Sequence, residues 1–215
     1  MRNPPRNVYP DNILNEKQEN KDSAQPNFWS ERYTRGKTPW QLDRVPTRLN
    51  VFIQSLSPSC NILIPGSGQD YRTIDAFRKA GHRVTAIDFS PVAVESTNKA
   101  LKEAGDKIIQ GDFFTHDFEA APFDLIYERT FLCSLPPSLW ETYAARIANL
   151  LRPSGVLVGF FFYGQQSEPP PHPLTERKAD EIFGERFELE KSESVTDSLP
   201  IFAGQEKWQE WRLRS

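Results

Sequence analysis

The residues best suited to chemistry fall in one stretch, from Gly66 to Arg129. Gly66 and Gly68 follow an apolar run, Ile62 to Ile64, and Asp88 closes a second apolar run. Asp112 stands just after a third, in "GDFF", and Glu128 and Arg129 close a fourth, in "FDLIYERTFLCSLPP". Glycines between a strand and a helix let the backbone approach a ligand closely. An acid at the end of the second strand can accept hydrogen bonds from both hydroxyls of a ribose. Charge at the carboxyl end of an apolar strand belongs to a site more often than to a core. Taken alone, Gly-x-Gly after a strand is equally a tight turn with no ligand. The four positions together describe a pocket for an adenosine-containing molecule.

Two such molecules are in question. A nicotinamide dinucleotide wants G-x-G-x-x-G, whose third glycine lets helix and strand pack tightly beside a pyrophosphate. Tyr71 occupies that place here. S-adenosylmethionine (SAM) has no phosphate and needs no third glycine. The Tyr-x-x-x-Lys spacing of short-chain dehydrogenases occurs once, at Tyr33 and Lys37, but it precedes the glycine turn and is broken by Gly36. It reads as coincidence. Asp112 stands where the adenine amino group needs an acceptor. These features point to a class I SAM-dependent methyltransferase. Glu128 is a candidate base. Arg129 either steadies an anion or pairs with Glu128 or Asp124. His82, His116 and His172 lack metal-ligand spacing, so no metal is expected. His82 reads as solvated in a helix–strand turn, His172 as a loop residue that could line an acceptor pocket, and Cys133 as core.

The elements that must position these residues are legible in the pattern. Strands are expected at about 61–65, 83–88, "KIIQGDF", "FDLIYE", "GVLVGFFFY", "RFELEKSESV" and "EKWQEWRLR". Helices are expected at "RVPTRLNVFIQSL", at 69–80 with Gly81 as its stop, from Ser90-Pro91 to near Gly105, at "PSLWETYAARIANLL" and at "RKADEIF". Leu139, Tyr143, Ile147 and Leu151 fall four apart on one helical face. The order β-α-β-α-β-β-α-β-α-β-β gives an α/β fold: a doubly wound, Rossmann-like, seven-stranded, mostly parallel sheet with an antiparallel terminal hairpin. Residues 1–27, polar and poor in large apolar side chains, read as an arm or a lid, and 28–215 as the catalytic domain.

Composition limits the partners. The chain has 215 residues, 38% hydrophobic and 26% charged, with 26 basic against 29 acidic side chains. A protein that grips nucleic acid usually carries a basic surplus. Two cysteines give no disulfide framework and suit a reducing cytoplasm. No apolar run approaches the roughly 20 residues of a membrane span. The expectation is a cytoplasmic monomer acting on a small-molecule acceptor, with neither nucleic acid nor membrane as partner.

Four segments, "FWSERYTRGKTPWQ", "LIPGSGQDY", "AIDFSPVAVE" and "FDLIYERTFLCSLPP", resemble the thiopurine S-methyltransferase family, which also holds plant methyl halide and thiol methyltransferases. The resemblance runs from about Trp29 to Leu213, and "PPPHPLT" is similar to the family's proline-rich loop. It implies transfer of a methyl group from SAM to a soft nucleophile such as a thiol, thiopurine, selenol or halide. It also implies cofactor contacts at Trp29, Tyr33, Trp40, Gly66, Asp88, Asp112 and Phe113, with Arg129 near the methionine end. The aromatic trio either closes the site or merely plugs the end of the sheet. The acid that many methyltransferases carry at the end of strand 1 is missing, with Pro65 nearby. Oxygen or nitrogen methylation on the same scaffold, and SAM binding without catalysis, are the alternative readings.

Overall fold

The computed structural model describes residues 22–57, 59–101, 108–165, 168–202 and 204–215. Seven strands form one sheet: β1 (Asn61–Pro65), β2 (Arg83–Asp88), β3 (Ile109–Gln110), β4 (Phe123–Arg129), β5 (Leu151–Phe162), β6 (Phe187–Ser194) and β7 (Glu206–Leu213). Their spatial order is β3-β2-β1-β4-β5-β7-β6. The first five run parallel, and β7 is antiparallel to both β5 and β6. The doubly wound sheet and its terminal hairpin are therefore as expected. Chain order reverses between β1 and β4, and at such a switch point the crevice beyond the strand ends is open to a ligand.

Side chains of a strand alternate between the two faces of a sheet, and the core divides accordingly. Ile62 and Ile64 of β1, Leu125 and Tyr127 of β4, and Val158 and Phe160 of β5 face one layer. That layer holds α2 (Thr47–Ser55), α3 (Tyr71–Lys79) and α4 (Pro91–Ala100), through Leu49, Phe77 and Val94 among others. Leu63, Ile126, Leu157 and Phe161 face the opposite layer of α5 (Trp140–Leu150) and α6 (Glu176–Phe183), where Tyr143, Ile147 and Phe183 are fully buried. Three of the helices, α3, α4 and α6, begin on side-chain caps. Asp70 accepts from Thr73 N–H, Ser90 from Ala93 N–H and Thr175 from Lys178 N–H.

Several expectations need correction. The third strand is two residues long, not seven. The helix begun at Ser90 is described to Ala100, and its expected end near Gly105 lies outside the described residues. β5 starts at Leu151 with no gap after α5, and its ladder to β4 slips between Phe123↔Leu151 and Leu125↔Val156, so the Pro153-Ser154-Gly155 segment bulges out. The expected arm lies mostly outside the described residues. Its last part and the following aromatic segment form α1 (Pro26–Thr34), which the sequence reading left unassigned. Among the described residues, no helix is long and apolar enough to cross a membrane.

Candidate active site

The switch point is reached by a turn that only glycine fits. Gly66 and Gly68 have φ of 56° and 55°. A Cβ on Gly66 would stand 2.2 Å from Phe131 Cδ2, and one on Gly68 2.6 Å from the Tyr33 hydroxyl. The turn is thus held between the segment after β4 and helix α1.

Asp88 ties this turn to the start of α4. Its carboxylate is 6% exposed. One oxygen accepts from Gly68 N–H at 2.9 Å and the other from Ser90 N–H at 2.8 Å. A carboxylate has about four lone-pair sites, so each oxygen can still accept one more donor. Burial pushes the carboxyl up to about 6, against the opposing pull of the two amides.

Helix α1 closes one side. Trp29 and Tyr33 are one turn apart and share a face. Trp40 returns from the following loop to meet both rings edge to face, with centroids 5.4 Å from Trp29 and 6.1 Å from Tyr33. A hydroxyl–hydroxyl bond of 2.8 Å between Ser30 and Ser90 docks α1 on the cap of α4. Burial first, and the Asp88 charge second, raise the Tyr33 phenol well above its ordinary range, so it stays neutral.

These elements enclose a cavity of about 540 Å³. Trp29, Tyr33, Trp40, Gly66, Asp88, Asp112 and Phe113, all singled out from the sequence, line it. Asp112 is exposed at its rim and accepts from Phe114 N–H at 2.9 Å. An annex of about 50 Å³, lined by Gly68 and Arg129, shares Tyr33, Trp40 and Gly66 with the main cavity. Three buried polar atoms of annex residues lack a hydrogen-bond partner among the described residues: Ser67 Oγ, the Tyr127 hydroxyl and Arg129 Nε. Buried polar groups are nearly always paired, so three orphans in one small pocket mark a place for a polar ligand group.

Arg129 does not take the ion-pair alternative. Asp124 is bonded to Arg152 at 2.5 Å and to Asn61 N–H, and Arg129 instead lies over the Phe160 ring at 5.5 Å. Glu128 is corrected more sharply. It is 1% exposed and lines neither space. Its oxygens accept from the Phe131 and Leu132 amides and from the Tyr143 hydroxyl, so the sheet alternation that aims Arg129 at the annex turns Glu128 to the α5 side. His82 is buried, not solvated. Its Nδ1 accepts from Cys60 N–H at 3.2 Å, and desolvation lowers its basicity. In the proline-rich loop Pro170 and Pro171 line the cavity, whereas His172 does not. Cys133 is core, as read, but with Phe202 of the same cluster it also forms cavity wall. Phe131, Ile201 and Phe202 were missed, since nothing in their spacing separates wall from core.

Comparisons with known proteins bear on the family and the fold. The thiopurine S-methyltransferase family model matches residues 24–214. A thiopurine S-methyltransferase of Pseudomonas fluorescens is 29% identical over 192 residues, covering 79% of this chain and 87% of that protein. A probable thiol methyltransferase of Arabidopsis thaliana is 28% identical over 160 residues, covering 72% and 70%. Among solved structures, a 1,6-didemethyltoxoflavin N1-methyltransferase of Burkholderia thailandensis, crystallised with its substrate and S-adenosylhomocysteine (SAH), superposes with a TM-score of 0.73 at 22% identity, covering 88% of this chain and 87% of that one. The N-methyltransferase NodS of Bradyrhizobium japonicum superposes with a TM-score of 0.69 at 19% identity, covering 86% and 97%. These two likenesses are of fold. With the match running from the helix under the aromatic lid to the last strand of the sheet, the chain belongs to the thiopurine S-methyltransferase family.

Proposed function

We propose that this SAM-dependent methyltransferase acts on a small soft nucleophile, a thiolate first among them, with the reacting group held between the aromatic lid and the wall of Cys133, Pro170, Pro171 and Phe202. The observation that carries the reading is the buried, cavity-lining Asp88 beside a turn only glycine fits. SAM supplies an electrophilic methyl group on a positively charged sulfur. Asp88 has lone pairs to spare for the ribose diol, and Asp112 stands at the rim for the adenine amino group. In the annex, Arg129 suits the carboxylate of the cofactor's amino acid end, and Ser67 and Tyr127 offer hydroxyls beside it. Trp29, Tyr33 and Trp40 offer aromatic faces to a sulfonium, an attraction of about 0.5–2 kcal/mol, and keep water from the acceptor. Both carboxylates of the main wall sit at the adenosine end, which leaves the acceptor to arrive already ionised.

Titration calorimetry with SAM, SAH and NAD tests the cofactor assignment. SAM and SAH should bind and NAD should not. NAD binding without SAM binding would reverse the assignment.

The raised Asp88 carboxyl gives this binding a pH dependence. Ribose hydroxyls donate to the ionised form, so binding favours ionisation. SAH affinity should rise as pH increases through about 6 and then level. The gain between pH 5 and 7 is roughly tenfold if only the ionised form binds. In the ligand-free chain the linkage has the opposite sign. Protonated Asp88 favours the fold, an advantage complete below the ordinary value of 3.8 and lost as pH rises through about 6. Calorimetry across this range should show the step, and Asp88→Asn should remove it.

A further inference from the structure

The segment after β4 carries Phe131, Cys133, Ser134 and Leu135 into the cavity wall. Thr130 opens it with φ of 63°, a conformation that a β-branched residue adopts only where its surroundings impose it. Glu128 supplies the imposition. One of its oxygens accepts from Phe131 N–H and from Leu132 N–H, both at 2.9 Å, and the other accepts from the Tyr143 hydroxyl at 2.6 Å. Tyr143 is fully buried on α5, and its ring packs 6.0 Å from both Phe131 and Phe113. Phe131 in turn fills the space a side chain on Gly66 would need.

We propose that Glu128 and Tyr143 form a positioning pair that sets the turn after β4, and with it Phe131 against the Gly66 turn, so that cofactor affinity depends on their hydrogen bond. The proposal rests on the cofactor reading above. Glu128 touches neither cavity nor annex, so it acts through the turn it holds.

Burial pushes the Glu128 carboxyl up to about 7, against the pull of its three donors. Its neighbours are Tyr127 and Arg129 on β4, Cys133 from the turn and Tyr143 from α5. β5 meets it through Gly159, which has no side chain, and Glu206 of β7 shares Tyr127 and Cys133 with it as neighbours. Burial holds the two phenols and the Cys133 thiol neutral through the physiological range. When Glu128 takes a proton, the oxygen that carries it becomes a donor facing the Tyr143 donor. The phenol must then turn its own proton away and accept from the carboxyl instead, so the brace to α5 falls from a charge-assisted bond to a weaker neutral one.

The test is SAH affinity by calorimetry on folded protein, from pH 5.5 to 8.5, with circular dichroism confirming the fold. Glu128→Gln keeps one acceptor oxygen and turns the other into an NH2 that can only donate to the hydroxyl, so the charge-assisted bond becomes a neutral one. Tyr143→Phe leaves the carboxylate and both amide bonds intact, and carries the test alone if Glu128→Gln does not fold. At pH 8 each change should raise the SAH dissociation constant about tenfold, the scale of a hydrogen bond to a charged group. The double variant should be no worse than the worse single, because both act on one interaction. In Glu128→Gln the affinity step near pH 7 should vanish while the Asp88 step near 6 stays. Variants that melt lower yet bind SAH as wild type does, with an unchanged pH profile, would overturn the proposal and leave Glu128 a purely structural group. Wild type that binds no SAH would overturn the cofactor reading itself.

Discussion

Replacing Asp88 with alanine is expected to raise the dissociation constant for SAH by about a hundredfold, and with asparagine by about tenfold. A hydrogen bond to a charged partner contributes about 1.5–3 kcal/mol, and each 1.4 kcal/mol is about a factor of ten in affinity. Asparagine loses the charge and keeps one acceptor oxygen, so one of the two backbone amides keeps its acceptor and the other faces an NH2. Alanine does more. It leaves the Gly68 and Ser90 amides without their acceptor. Both are buried beside the cavity, and an unpaired buried amide costs about 1–3 kcal/mol. The glycine turn and the first turn of α4 then loosen together, and α1, bonded to Ser90 through Ser30, loosens with them. Alanine should therefore lower the melting temperature more than asparagine, which strands one amide where alanine strands two. Calorimetry with SAH and thermal melts of the two variants check this. An unchanged dissociation constant for Asp88→Asn, with its fold intact, would mean that the carboxylate serves the turn and not the ligand.

The double duty of Asp88 shows what a sequence can and cannot tell. An acid at the end of β2 after Gly-x-Gly was readable, because chain direction alone puts both at the switch point. The two backbone amides it accepts from were not readable, because they depend on how the turn folds back on α4. The pair Glu128 and Arg129 is more instructive. Read as neighbours, both seemed fit for a site. Strand alternation was already visible in Leu125, Tyr127 and Arg129 against Ile126 and Glu128, and it sends the two charges to opposite faces of the sheet. What the alternation could not supply was Tyr143, fifteen positions on, as the partner waiting for Glu128.

The aromatic segment failed in the other direction. Trp29 and Tyr33 stand out in the sequence as site residues, yet their one-turn spacing does not by itself announce α1. That helix is short, begins at Pro26 without a side-chain cap, and buries only Phe28 fully, so its amphipathic signal is weak. Docking on α4 and the ring contacts with Trp40 hold it, and neither is local in sequence. The orphaned hydroxyls of Ser67 and Tyr127 were equally out of reach. Tyr127 looks like any apolar strand residue until the space around its hydroxyl is known.

An aromatic thiol should be methylated at least thirtyfold faster than the matching phenol at pH 7. The side-chain values for an alkyl thiol and a phenol, about 8.5 and 10, differ by about 1.5 units, and an aromatic ring makes the thiol more acidic still, so ionisation alone gives at least about thirtyfold more of the reactive anion. The softer sulfur adds to this. A placed general base would erase the gap by ionising the phenol on the enzyme. Here the acids of the main wall, Asp88 and Asp112, are those proposed to hold the adenosine, and Glu128 is engaged by three donors on the α5 side of the sheet. Arg129 offers a control on a different axis. In the annex its planar, two-pronged guanidinium suits a carboxylate, and lysine offers only a point charge. Arg129→Lys should therefore raise the SAM KM and the SAH dissociation constant about tenfold, as expected for one charge-assisted contact. It should leave the thiol-to-phenol ratio where it was. Measuring kcat/KM for one thiol and its oxygen analogue, in wild type and in Arg129→Lys, separates the two claims. A phenol that matches the thiol would mean that a base reaches the acceptor and that oxygen methylation is the function. A ratio that collapses in Arg129→Lys, with SAM binding unaltered, would move Arg129 from the cofactor to the acceptor.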